Sequence, residues 1–171
     1  MWPVAAAVVA AVAAVVVALV VPGGAPPRAV PAFALPAAAG GAPISYRPPP
    51  PGGSGRPMVL AFFASWCGPC HVELPAVARQ VARLQHAGTP IRFVAVDGND
   101  TASAGLAFAH RSGVTFPVAE DETQSLARKI GLVGLPDTVF VDRSGHIVHI
   151  MQGSGFSAAT FRRWAAAIAS S

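Results

Sequence analysis

Met58–Phe63 is an unbroken apolar run, and a stretch with helical spacing begins nine residues later at Val72. A strand with one wet face would alternate; a short continuous run marks a strand covered on both faces. From Val72 to Leu84 the apolar residues Val72, Pro75, Ala76, Val77, Val81 and Leu84 recur at helical intervals, with Arg79, Gln80 and Arg83 polar. A sheet that needs cover above and below restricts the chain to an α/β arrangement. The connection between strand and helix carries Cys67-Gly68-Pro69-Cys70, which holds both cysteines of the 171-residue chain. Two thiols exclude a disulfide-rich miniprotein and any four-cysteine zinc or iron–sulfur site built by one chain.

The remaining pattern fits the same class. Ile91–Val96 has the character of a second buried strand, and Ala102–His110 and Gln124–Ile130 of short helices. Thr138–Val141 and His146–Met151 read as strands joined by Asp142-Arg143-Ser144-Gly145, a tight turn. Ser157 is placed to cap a last helix, Ala158–Ala169, whose Phe161, Trp164, Ala165 and Ile168 share one face. Upstream, Ala32–Leu35 and Ala42–Tyr46 flank Gly40-Gly41 as in a weak hairpin, and the Pro48–Pro51 run and the glycine-rich segment to Gly55 read as exposed loop. The expectation is one α/β domain over 31–171, a central mixed sheet flanked by helices behind an N-terminal hairpin.

Composition matters most at the N-terminus. The chain is 53% apolar and 12% charged, and Val4–Val21 is an uninterrupted run of Ala, Val and Leu. As a helix this run would span about 27 Å, just short of a ~30 Å hydrocarbon core. It exceeds the ~7–15 residues of a signal-peptide core, and a cut after Ala25 would leave Pro26 at the new terminus. No cysteine follows it to take a lipid. Length therefore points to a single-pass membrane anchor over 1–21 with a linker over 22–30. The charge rule does not favour export, since no Lys or Arg precedes the run and Arg28 follows it. A cleaved signal segment, leaving a secreted domain, stays open. The net charge of +4 comes mostly from Arg28, Arg47 and Arg56, ahead of the core. No basic stripe or nucleic-acid motif accompanies it, so nucleic acid is not an expected partner.

Two cysteines separated by two residues at a helix start can close a disulfide with little backbone movement. The first also faces unsatisfied N–H groups and the positive end of the helix dipole, which stabilise a thiolate. Cys67 is thus the candidate exposed nucleophile and Cys70 the resolving thiol. The string through His71 also matches c-type haem attachment, with Met151 or His149 as a second axial ligand. Its position straight after a buried strand, with Trp66 in front and Gly-Pro inside, suits a redox turn instead, and no cofactor is expected. Asp97-Gly98-Asn99-Asp100 looks faintly like a calcium loop, but Thr101 and the missing downstream Gly and Glu break that pattern, so no metal is expected. A strand-end turn with a helix cap explains it better.

The segment Ala61–Cys70 resembles the active site of the thioredoxin superfamily, and more narrowly of the membrane-anchored TlpA/ResA/DsbE group of extracytoplasmic thiol–disulfide oxidoreductases. The resemblance extends over roughly 30–169, through Val30–Pro36, Gly113–Val118, Gly131–Pro136 and Phe140–Gly145. It implies a thioredoxin-like fold in which Pro136 is a cis-proline beside the cysteines, leaving neighbouring backbone groups free for an extended substrate. It implies that Pro75 kinks the active-site helix. Thioredoxins bury an Asp where this chain has Ala61; the TlpA-like group places a Glu three residues after the second cysteine, and Glu73 stands there. Glu73 is either a buried proton shuttle for Cys70 or an exposed acid complementing the helix dipole. Trp66 is a shield over Cys67 or a core residue. Leu135, Asp137 and Trp66 are candidate substrate-binding residues, with Asp137 either biasing substrate choice or serving as an ordinary loop residue. His71 either helps to poise the thiolate or is a solvated helix residue.

The implied activity is reduction of protein disulfides outside the cytoplasm, with a cytochrome c maturation-type client. No second redox pair exists in the chain, so electrons would come from a separate membrane or extracytoplasmic donor. Gly68-Pro69 leans towards a reductase. A DsbA-like thiol oxidase, a thiol peroxidase and a non-catalytic thioredoxin-fold assembly module are the alternatives.

Overall fold

The computed structural model describes residues 28–171. The expected anchor over 1–21 and most of the linker lie outside the described residues, among which no helix is long and apolar enough to cross a membrane. The end of the expected linker already belongs to the fold. Ala29 bridges His146, Val30 is fully buried, and the Ile147 N–H donates to the Arg28 carbonyl at 2.8 Å.

The central sheet has five strands: β3 (Met58–Phe63), β4 (Arg92–Gly98), β5 (Val118–Asp121), β6 (Asp137–Val141) and β7 (Ile147–Gln152), in the spatial order β5-β4-β3-β6-β7. β3, β4 and β5 are parallel, and β6 is antiparallel to both β3 and β7, so the sheet is mixed as expected. Every residue of β3 is buried, because it is the central strand with both faces covered. The helices are α1 (Cys70–His86), α2 (Ala102–Arg111), α3 (Ser125–Ile130) and α4 (Ala158–Ser170). On one face, Val59, Ala61 and Phe63 pack with Leu74 and Val77 of α1, Phe108 of α2, and Phe161 and Ile168 of α4. On the other, Leu60 and Phe62 pack with Leu126 and Ile130 of α3 and with the hairpin. That hairpin is β1 (Phe33–Leu35) and β2 (Ile44–Tyr46), antiparallel, with Gly40 and Gly41 at positive φ between them and the rings of Phe33 and Tyr46 stacked at 5.6 Å.

β5 is the strand that periodicity missed. Its four residues, Val-Ala-Glu-Asp, end in two acids. The buried Asp121 is there to receive the N–H groups of Leu126 (3.0 Å) and Ala127 (3.0 Å) at the start of α3, whose own N-cap residue, Gln124, makes no side-chain cap. Pro75 lies inside α1 rather than ending it.

Candidate active site

The parallel strands bring their C-terminal ends to one pole of the sheet, and the disulfide sits there. Cys67 and Cys70 are joined, S–S 2.07 Å, with Cα atoms 5.3 Å apart. A tight turn starts α1 beneath them: the Cys70 N–H donates to the Cys67 carbonyl (3.0 Å) and His71 N–H to that of Gly68 (3.1 Å). Both sulfurs belong to buried residues. Cys67, expected to be exposed, is 4% accessible, and Cys70 is at 0%. Of the two residues, Cys67 alone keeps any solvent contact.

The Ser65-Trp66 turn is tied to the end of β4. The Ser65 N–H donates to Asp100 Oδ2 (2.6 Å), the Trp66 indole Nε1–H to the Asn99 carbonyl (2.8 Å), and His71 Nε2 meets the Ser65 carbonyl at 2.9 Å. Trp66 is 58% exposed, which removes the core-packing reading. His71 is exposed, but its ring lies 4.5 Å from that of Phe108 as well as on Ser65, so it is held rather than freely solvated. The Asp97–Asp100 segment is a strand-end turn followed by a cap, with Thr101 Oγ1 accepting from the Ala104 N–H at 3.4 Å.

Glu73 follows Cys70 by three residues, which puts both side chains on one face of α1. That face is the buried one, so Glu73 is not an exposed acid complementing the dipole. Neither of its carboxylate oxygens has a hydrogen-bond partner. Burial, and then the neighbouring Asp137 charge, raise its pKa to about 7. Asp137 is the first residue of β6 and buried, so the reading as an ordinary loop residue does not hold. Its Oδ1 accepts from the Gly153 N–H (3.2 Å) while Oδ2 has no partner, and burial outweighs that bond to raise its pKa to about 6. The two acids form a buried carboxyl pair behind the disulfide.

The Leu135–Pro136 peptide bond is cis. The Pro136 carbonyl is already engaged, accepting from the Gly153 N–H at 2.8 Å, so it is not among the groups free for a substrate strand. Leu135 is half-buried and, with Trp66, Gln124 and the exposed Val133, lines a cavity of about 240 Å³. A groove of about 370 Å³ runs along the other flank of the helix start, between Pro69, Val72 and Ala76 and the Ser154–Phe156 loop.

Besides Asp121, a second buried acid was not singled out from sequence. Asp97, opposite Phe63 in the sheet register, is buried with Oδ1 unpartnered, and burial together with Asp100 and Glu120 raises its pKa to about 7. α2 passes so close that a Cβ on Gly105 would collide with the Asp97 carboxylate. Its signal was present, since it continues the inward alternation of Phe93 and Ala95, but the Asp-Gly-Asn-Asp string drew it into the turn. Among the described residues no His/Cys/Asp/Glu group is arranged to hold a metal ion.

Residues 26–150 match the model of the AhpC/TSA family. The chain belongs to that family. Among curated relatives, the thiol-disulfide oxidoreductases ResA of Bacillus thuringiensis (strain Al Hakam) and Bacillus anthracis are each 30% identical over 99 residues, 58% of this chain and 56% of theirs. The match thus spans little more than half the length of those relatives. Among solved structures, MTB dsbF, described in mixed oxidized and reduced forms, superposes with a TM-score of 0.65 at 26% identity over 80% of this chain and 94% of that one. A thiol:disulfide interchange protein of the thioredoxin family from Chlorobium tepidum TLS gives 0.68 at 25% identity over 86% and 99%. The fold of this AhpC/TSA domain is therefore thioredoxin-like.

Proposed function

We propose that the domain is a thiol–disulfide oxidoreductase that cycles Cys67 and Cys70 between dithiol and disulfide, and that its working direction is reduction of protein disulfides. The observation that carries this is the Cys67–Cys70 disulfide at the start of α1 with Glu73 buried on the same helical face. In the dithiol form the Cys67 thiolate attacks one sulfur of a client disulfide. A mixed disulfide forms and the client's other sulfur leaves as a thiolate. The Cys70 thiol gives its proton to the Glu73 carboxylate and attacks Cys67 Sγ, closing the intramolecular disulfide and releasing the second client thiolate. Two electrons pass to the client, and a separate protein donor restores the dithiol.

A carboxyl group with a pKa near 7 suits that proton transfer, because it is available in either state at neutral pH. Trp66 and Leu135, which line one cavity, and the cis-bonded Pro136 are the proposed substrate contacts, while the buried Asp137 acts through its charge on Glu73. The apolar run Val4–Val21 and the likeness to ResA-type relatives favour a membrane-tethered domain outside the cytoplasm, with a cytochrome c maturation-type client. Pairing of Cys67 to a cysteine only three residues away disfavours a peroxide-reducing role.

The test is to express Cys70→Ser in cells and identify what is trapped on Cys67. Extracytoplasmic proteins carrying paired cysteines are the expected catch; an empty trap removes the proposal. A reduction potential near −270 mV supports a reductase, and one near −120 mV turns it into an oxidase.

A further inference from the structure

The arginines of this chain are scattered in sequence, but the topology gathers them. The pole opposite the disulfide is where β3, β4 and β5 begin, where α1 and α2 end and where the β6–β7 turn lies. Arg56 precedes β3, Arg92 opens β4 and Arg143 sits in the turn. Arg83 and His86 occupy the last turn of α1, and His110 and Arg111 that of α2. Arg47 follows β2, whose Ser45 carbonyl accepts from Arg92 Nη1 at 2.7 Å. Six arginines thus face one carboxylate, Asp142, which is taken up by the N–H groups of Ser144 and His146 (2.9 Å each). The other seven acidic residues lie at the disulfide pole or in the strand ends and first helical turn that lead to it.

This separation makes the domain an electric dipole about one strand long, roughly 20 Å at ~3.3 Å per residue of β4. Its basic end is built rather than frayed. Arg56 donates to the carbonyls of Pro90 (3.4 Å) and Ile91 (3.1 Å), so the Arg56 and Arg92 guanidinium groups are pinned along a groove of about 530 Å³ floored by Gly88, Thr89 and Pro90. The chain also leaves the described fold at this end, and the apolar run Val4–Val21 lies only seven residues before Arg28. Even fully extended, that spacer reaches roughly 25 Å. We propose that the basic pole docks on the anionic phospholipid headgroups of a bilayer, holding the disulfide pole away from the membrane and open to clients. Each arginine brought close to such a surface is worth about a fivefold gain in partitioning, and the effect fades within a Debye length of roughly 8–10 Å.

The test uses the full chain in lipid nanodiscs, of phosphatidylcholine alone or with phosphatidylglycerol, followed by hydrogen–deuterium exchange. Peptides covering 83–92 and 142–147 are expected to be protected on phosphatidylglycerol discs only, with protection lost in 0.5 M NaCl and unchanged exchange over 65–70. The triple variant Arg47→Glu, Arg83→Glu, Arg111→Glu changes exposed side chains and is expected to abolish the protection while keeping the melting curve of the parent. Equal exchange on the two discs, the result an acidic protein partner for this pole would give, overturns the proposal. So does protection that survives in the variant. Retention on phosphatidylcholine discs reports separately on the apolar run: a chain held only by phosphatidylglycerol discs refutes the anchor and supports the docking.

Discussion

Replacing Glu73 with Gln removes one ionisable group from the buried site while keeping its shape. Below pH 4.5 both folded and unfolded chains carry the proton on Glu73, and the residue makes no pH-dependent contribution. As pH rises through the ordinary value of 4.5 the unfolded chain ionises first, while the folded one holds its proton until about 7. Stability therefore falls across that window and the loss is complete above it. The shift from 4.5 to about 7 corresponds to about 3 kcal/mol at 1.36 kcal/mol per unit. The assay is urea unfolding of the oxidised protein and of Glu73→Gln at pH 4 to 8.5. The difference in unfolding free energy is expected to move by about 3 kcal/mol in favour of the variant between the two ends. Part of the parent's slope survives in the variant, because Asp137 is itself raised from 3.8 to about 6. A constant difference across the range refutes the buried, unpartnered carboxyl group. The same substitution is expected to slow closure of the mixed disulfide and flatten its pH dependence near 7.

Other perturbations follow from the same geometry. Asp137→Asn removes the charge that adds to burial at Glu73, so the midpoint of Glu73, followed by infrared or NMR titration, is expected to fall below about 7. Gly105→Ala drives a methyl group into the Asp97 carboxylate and is expected to cost about 1–3 kcal/mol in chemical denaturation, with Asp97→Asn in the same chain giving no relief because the amide is no smaller. Asp121→Ala strips the start of α3 of its acceptor and is expected to cost about 1–2 kcal/mol, with exchange rising first at Leu126 and Ala127.

What the sequence disclosed was what is local. Met58–Phe63 announced a strand covered on both faces, Cys67-Gly68-Pro69-Cys70 announced its chemistry, and each lies within one element and its turn. β5 was silent because only Val118 and Ala119 of its four residues are apolar, one in each core, while its buried Asp121 serves the start of α3. Glu73 and Asp137 stand 64 positions apart, and only β6 lying antiparallel beside β3 makes them one site. The basic pole is invisible along the chain for the same reason, since parallel strands collect side chains that sequence keeps tens of residues apart.

The most direct measurement is mass spectrometry of single-cysteine variants after reaction of each reduced protein with a disulfide-linked peptide. Cys70→Ser is expected to accumulate the peptide on Cys67, whereas Cys67→Ser, whose one remaining cysteine has no solvent exposure, is expected to remain largely unmodified. Equal labelling of the two, or preferential labelling at Cys70, contradicts the assignment of Cys67 as the attacking sulfur and with it the proposed exchange cycle.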